Sequence, residues 1–72
     1  MERFLRYSLS HGRPIRLIYQ ETDGRMRQVT ATVTALGEDG VELVTLRPRR
    51  TVSLPWERLL SADYRRGDEG QD

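Results

Sequence analysis

The fold is decided by residues 15–36, which read IRLIYQETDGRMRQVTATVTAL. Apolar side chains recur at every second position on both sides of Asp23-Gly24, and this period is the one that separates the two faces of a β-strand. The Asp-Gly pair favours a tight hairpin turn, because such a turn needs the positive φ that glycine accepts freely. The stretch therefore predicts two antiparallel strands, over residues 15–20 and 25–36.

The second of these strands predicts a bend. Valine and alanine alternate with threonine through residues 29–35, whereas Met26 and Leu36 fall on the threonine side of the strand. One extra residue in a strand reverses the face on which later side chains lie, so we expect a β-bulge or a strong bend at one or both ends. Bends of this kind help a sheet to curl.

Three further strands follow along the chain, in residues 41–47, 51–54 and 59–64. The turn Gly37-Glu38-Asp39-Gly40 precedes the first of them, and a basic turn at residues 47–50 precedes the second. Pro55 lacks the N–H that a sheet ladder needs, so residues 55–58 predict a single 3₁₀ turn. Residues 65–72 contain no apolar side chain that would anchor them, and they predict a disordered tail.

A short helix precedes the first strand. Residues 2–10 predict it, and Gly12 is the expected stop. Its apolar face is predicted to contain Phe4, Leu5 and Leu9. Tyr7 lies off that face, so we expect it to be more exposed than Tyr64.

This order of elements is typical of an SH3-like or Sm-like small barrel. We therefore predict a mainly β fold: one domain over residues 1–64, in which five strands close into a barrel and leave little strand edge exposed. A domain of this size buries only about 60% of the surface that its unfolded chain exposes. An enclosed active site is not expected in so small a barrel.

The residues also resemble two families of small barrels. Residues 11–19, HGRPIRLIY, followed by DGR at 23–25, look like the opening of a WYL domain. GVELV at 40–44, RTVSL at 50–54 and the pair Arg58-Leu59 fall where that family has its later strands. The resemblance implies a barrel that senses a ligand or a nucleic acid in bacterial transcription regulation. The short helix, the Asp-Gly hairpin and the late strand are also similar to Sm-like proteins such as the Rho-binding antiterminators.

The amino-acid composition excludes several kinds of site and of location. The chain has no cysteine, which excludes disulfides, thiolate metal sites and a cysteine nucleophile and suits a reducing compartment. No apolar run approaches the roughly 20 residues that a membrane-spanning helix needs. The first six residues, MERFLR, lack the long apolar stretch of a secretory signal. We therefore expect a cytoplasmic protein that does not enter a membrane.

No constellation of residues predicts a reaction centre. His11 is the only histidine, and it falls at the end of the predicted helix, where a cation favours the helix dipole. A metal site or a catalytic triad needs partners that one histidine and no cysteine do not supply. The acidic pairs at 38–39 and 68–69 fall in a turn and a tail, where we expect solvation. We predict a non-enzymatic binding module without a cofactor or a metal.

All 12 basic residues are arginine, although the net charge is only +1. Arginine binds phosphate and carboxylate groups in a planar, bidentate way. Three arginines around Pro48 can spread from a turn into an anion-binding cluster, or they can simply keep that turn solvated. Other arginines flank the first hairpin and would form a basic stripe if the fold brings them near Arg50. The predicted anion or nucleic-acid contacts are Arg16, Arg25, Arg47, Arg49, Arg50 and Arg58.

Tyr19 and Trp56 are the candidates for stacking on a base or another ligand. Trp56 follows Pro55 in the predicted 3₁₀ link, where SH3-like barrels often place binding residues. The alternative is that it covers the open end of the barrel as part of the core, which the small apolar inventory of the chain favours. Tyr19 is predicted to lie in the core with its hydroxyl at the rim. Both interpretations of Trp56 remain open at the level of sequence.

Two classes of function follow. The first is a binding module that contacts nucleic acid or an anionic ligand in a regulatory context. The second is a protein-interaction or self-associating subunit with no nucleic-acid role, because the outward side chains Ile18, Val44 and Leu46 leave apolar surface for a second copy or another partner to cover. We favour the first class, and we expect a homo-oligomer in addition.

Overall fold

The computed structural model describes residues 1–65 and comprises one helix, five strands and one 3₁₀ turn. Their bounds are α1 Glu2–His11, β1 Ile15–Gln20, β2 Met26–Leu36, β3 Gly40–Thr45, β4 Thr51–Pro55, the 3₁₀ turn Trp56–Arg58 and β5 Leu59–Tyr64. The predicted order of elements is confirmed. Apart from Arg65, the predicted tail lies outside the described residues. Within the described part of the chain, no helix is both long and apolar enough to cross a membrane.

The five strands form one antiparallel sheet in the order β4-β3-β2-β1-β5. Each strand from β1 to β4 pairs with its neighbour in the chain, and β5 returns to pair with β1. The prediction of a closed barrel is wrong. Over residues 1–65, no ladder joins β4 to β5, and these two strands are the edges of an open sheet.

The open sheet is curled, because its two edge strands are consecutive in the chain. A flat sheet would place β4 and β5 about 19 Å apart, at roughly 4.8 Å per strand. Only the 3₁₀ turn separates the end of β4 from the start of β5, and such a turn rises about 2 Å per residue. The two strand ends are therefore close in space.

Two hydrogen bonds explain why the edges stay unpaired. The backbone N–H of Trp56 donates to the carbonyl of Asp39 at 3.2 Å, which ties the end of β4 to the start of β3. The Nε of Arg58 donates to the carbonyl of Gln20 at 2.7 Å, which ties the start of β5 to the end of β1. The 3₁₀ turn is thus held across the gap between the edges, and it bridges them without a ladder.

The predicted bulge lies in the second half of β2. Val33 pairs with Leu43, but the next partner of β3 is Ala35, so the register shifts by one residue there. The shift leaves Ala35 exposed and turns Leu36 back against the core. The first half of β2 pairs with β1 and the second half with β3, so the bend lies in the half that pairs with β3 alone.

The core lies between the concave face of the sheet and α1. The alternation predicted for β1 is confirmed, since Ile15, Leu17 and Tyr19 are buried. The buried apolar side chains of the core are Leu5, Tyr7, Ile15, Leu17, Tyr19, Ala31, Val33, Val41, Leu43, Leu54, Leu59, Ala62 and Tyr64.

The helix packs on a face that includes Phe4 and Leu5, as predicted, but Tyr7 in place of Leu9. Leu9 is 39% exposed, whereas Tyr7 is 6% exposed and its ring meets that of Tyr64 edge-on, with 5.0 Å between ring centroids. The expectation that Tyr7 is exposed is therefore wrong. The reason is the fully buried Ser8, whose contacts with β2 turn the helix toward the side of Leu5 and Tyr7.

Candidate anion-binding surface

The turn between β3 and β4 has a backbone fixed by Thr45, the last residue of β3. Thr45 is buried, and its N–H donates to the carbonyl of Arg50 at 2.8 Å. Its hydroxyl donates to the carbonyl of Pro48 and accepts the N–H of Arg50 at 3.1 Å. One buried side chain therefore closes the turn from inside and leaves the residues between Thr45 and Thr51 at the surface.

Arg47, Arg49 and Arg50 project from this turn, and all three are exposed. We name them the arginine turn. Among residues 1–65, no carboxylate forms an ion pair with any of the three. Three like charges within four positions repel one another unless an anion lies between them. The arginine turn therefore favours an anionic ligand from outside the described residues.

The other predicted arginines have internal partners. Arg16 donates to the carbonyl of Tyr64 at 2.8 Å and lies 3.6 Å from Asp63, so it stabilises the β1–β5 pair. Arg25 lies 3.6 Å from Asp23 inside the first hairpin turn, and Arg58 is the residue that anchors β5 to Gln20. The structure does not gather the six predicted arginines into one patch.

A surface concavity extends the arginine turn toward β2. Its volume is about 430 Å³. It is lined by Arg27, Gln28, Val29, Thr30, Thr45, Leu46, Arg47 and Arg65. Among residues 1–65, this lining contains three arginines and no carboxylate, and one of the arginines, Arg27, also pairs with Glu21 at 3.0 Å. The positive charge of the arginine turn is therefore continuous with that of this concavity.

Arg27 and Arg65 are absent from the predicted set of contacts. Arg27 flanks the first hairpin, and the antiparallel pairing of Ala31 with Thr45 brings the start of β2 beside the β3–β4 turn. Arg65 follows the last strand, where the sequence predicts a tail. The hairpin flank was the available signal for Arg27, whereas no pattern in the sequence indicates Arg65.

The two predicted stacking residues lie away from the arginine turn. Tyr19 is 7% exposed and packs in the core, so its ring offers no free face to a ligand. Trp56 is half-buried against the core, and its indole N–H donates to the carbonyl of Gly37 at 2.9 Å. It sits at the start of β3, and the six residues of β3 place it about 17 Å from the arginine turn, at 3.3 Å per residue.

Known protein families and structures do not extend this description of the arginine turn. Comparisons of the chain with protein-family models, with curated proteins and with solved structures give no significant match. In the part of the chain that the structure describes, no group of three or more His, Cys, Asp or Glu side chains is placed to hold a metal ion. The arginine turn and its surroundings are therefore the features of the structure that bear on function.

Proposed function

We propose that this protein is a non-enzymatic module that binds the phosphate backbone of a nucleic acid through the arginine turn, in a regulatory context. One observation carries the proposal: three exposed arginines project from a turn of fixed backbone, and residues 1–65 offer them no carboxylate partner. Guanidinium groups bind phosphate oxygens in a bidentate way, and a fixed turn reduces the entropy lost on binding.

The geometry supports contact with phosphates rather than with bases. Stacking on a base needs an exposed aromatic ring beside the basic groups. Tyr19 is buried, and Trp56 lies at the far end of β3 from the arginine turn. Phosphate contacts carry no sequence information by themselves. We therefore infer binding that depends strongly on salt and weakly on sequence.

The strand order supports a finer assignment of the fold. A short N-terminal helix, the order β4-β3-β2-β1-β5 and a 3₁₀ turn between β4 and β5 are consistent with an SH3-like or Sm-like small domain whose edges remain apart. The resemblance of residues 11–25 to a WYL domain agrees with this assignment. Both resemblances accord with a regulatory nucleic-acid role inside the cell.

The test is a binding titration with a fluorescent single-stranded RNA of about 20 nucleotides. The variant R47A/R49A/R50A is expected to bind at least about tenfold more weakly than the wild type at low salt, because it loses three phosphate contacts. The control R3A/R6A/R25A removes the same charge from the helix and the hairpin, and we expect it to change affinity less than about threefold. Equal losses in the two variants would refute a local site.

A self-associating subunit with no nucleic-acid role is the second candidate. The observation in its favour is exposed apolar surface: Leu46, next to the arginine turn, is 41% exposed, and Leu60 on β5 is 45% exposed. Large apolar side chains at a surface are covered at interfaces between copies. A wild-type protein that binds no RNA at low salt but gains mass with concentration would favour this candidate.

A further inference from the structure

The opposite end of the sheet carries a groove built around Trp56. Two concavities meet there and share Leu36, Gly37, Glu38 and Trp56 in their lining. One extends along β4 past Pro55, and the other extends to the helix, where Met1 is 53% exposed. The half-buried Trp56 therefore lies where the two concavities adjoin, and we name the two together the Trp56 groove.

The rim of the Trp56 groove is acidic. Four carboxylates line the part beside β4, and they are those of Glu38, Asp39, Glu42 and Glu57. All four are exposed, and within residues 1–65 none forms an ion pair with an arginine. Near the helix, Glu2 is compensated by Arg6 at 2.8 Å. The uncompensated negative charge of the groove thus lies beside β4.

Positive and negative charge consequently lie at opposite ends of β3. The arginine turn follows the last residue of β3, whereas the Trp56 groove adjoins its first residue. The separation of about 17 Å along one paired strand prevents the arginine turn from reaching the groove of its own chain. Opposite charges that cannot meet within one molecule are complementary between two molecules.

We propose that the Trp56 groove receives the arginine turn of a second copy of this chain. The turn is exposed and the groove is concave, and their charges are opposite. Leu46 and Pro48 beside the arginines would contact Trp56 and Leu36, and the guanidinium groups would meet the carboxylates of the rim. Arginine also packs favourably on the face of an indole ring.

The contact is head-to-tail, since it joins two different surfaces. Each copy that fills the groove of a neighbour still offers an open groove of its own. Contacts of this kind build closed rings where the rotation closes, and open filaments where it does not. The arginine turn belongs to both proposals, so nucleic acid and the groove of a second copy would compete for it, whereas the Trp56 groove has no part in the proposed function.

A charge-swap experiment tests the contact by sedimentation velocity at about 100 μM protein and low salt. One variant, R47E/R49E/R50E, carries acidic groups at both ends, and the other, E38R/E42R/E57R, carries basic groups at both ends. The wild type is expected to sediment above its monomer mass of 8.4 kDa, and each variant alone as a monomer. An equimolar mixture of the two is expected to associate again, because both of its contacts pair opposite charges.

Circular dichroism of each variant controls for loss of fold, and association in the mixture itself requires folded partners. A wild type that stays monomeric, single variants that still associate, or a mixture of folded variants that does not associate would each overturn the proposal. So would a monomeric protein whose groove binds only a separate arginine-rich peptide, because that result assigns the groove to another partner. E38Q/E42Q/E57Q keeps the arginine turn and adds no cation, so its RNA affinity reports on the proposed function while its sedimentation reports on the groove.

Discussion

Two buried hydroxyl groups, those of Ser8 and Thr45, form hydrogen bonds with backbone groups that no strand ladder pairs. The Ser8 hydroxyl donates to the carbonyl of Arg13 at 2.6 Å and accepts the N–H of Val33 at 2.8 Å. It lies where β2 continues past the start of β1, so it satisfies a backbone donor that would otherwise face the apolar helix. Thr45 does the same for the β3–β4 turn. Small polar side chains thus shape both the core and the binding surface.

Ser8→Ala is expected to lower the free energy of unfolding by about 1–3 kcal/mol, because it leaves the buried N–H of Val33 and the carbonyl of Arg13 without this partner. Urea denaturation followed by circular dichroism measures this loss. Ser10→Ala is the matched control, since Ser10 lies in the same helix and is exposed, and we expect it to change stability by less than about 0.5 kcal/mol. Equal stabilities for the two variants would contradict the role assigned to Ser8.

At the scale of elements, β3 and β4 approach each other closely at their ends. Gly40 pairs with Pro55, and a Cβ built on Gly40 would lie 2.2 Å from the carbonyl oxygen of Leu54. Any larger residue there pushes against backbone, which cannot move aside as a side chain does. The close approach aligns the start of β3 with the 3₁₀ turn, and so places Trp56 beside Gly37.

Gly40→Ala is therefore expected to destabilise the protein by about 3 kcal/mol through overpacking. Gly37→Ala provides the control in the same turn, because its Cβ would meet nothing closer than 3.7 Å and its φ needs no glycine. Thermal melts of the two variants compare these positions directly. A Gly40→Ala protein as stable as Gly37→Ala would show that the two strands separate at no cost.

The elements were largely predictable from the sequence, because their periods and breakers are local. Alternation predicts β1 and β5, the change of parity near Leu36 predicts the bulge of β2, and Pro55 predicts the 3₁₀ turn. The buried face of α1 was not predictable in the same way. Its orientation depends on the hydrogen bond that the N–H of Val33, 25 residues away, donates to the Ser8 hydroxyl, and helical spacing carries no sign of that bond.

The whole molecule was harder to predict than its elements. Five strands of suitable length are compatible with a closed barrel and with a curled open sheet, and the difference lies in two anchors, at Asp39 and Gln20, that are distant in sequence from the 3₁₀ turn. The arginine turn was visible as a run of residues 47–50. Its continuation to Arg27 and Arg65 depends on the register of β2 against β3 and on where β5 ends.

The distribution of charge governs how the whole molecule meets a polyanion. The net charge of +1 gives almost no long-range attraction. In the part of the chain that the structure describes, arginines lie at one end of β3 and carboxylates at the other, so the arginine turn offers a nucleic acid a positive surface. The number of phosphates engaged at once is therefore small, and about three is the number that this turn can contact.

The most direct measurement is the salt dependence of RNA affinity, as the slope of log K against log salt concentration. Release of counterions from about three phosphates of a single strand predicts a slope near −2 for the wild type, and a slope near zero for R47A/R49A/R50A. A slope that is the same in both proteins would contradict the central claim that the arginine turn is the nucleic-acid contact.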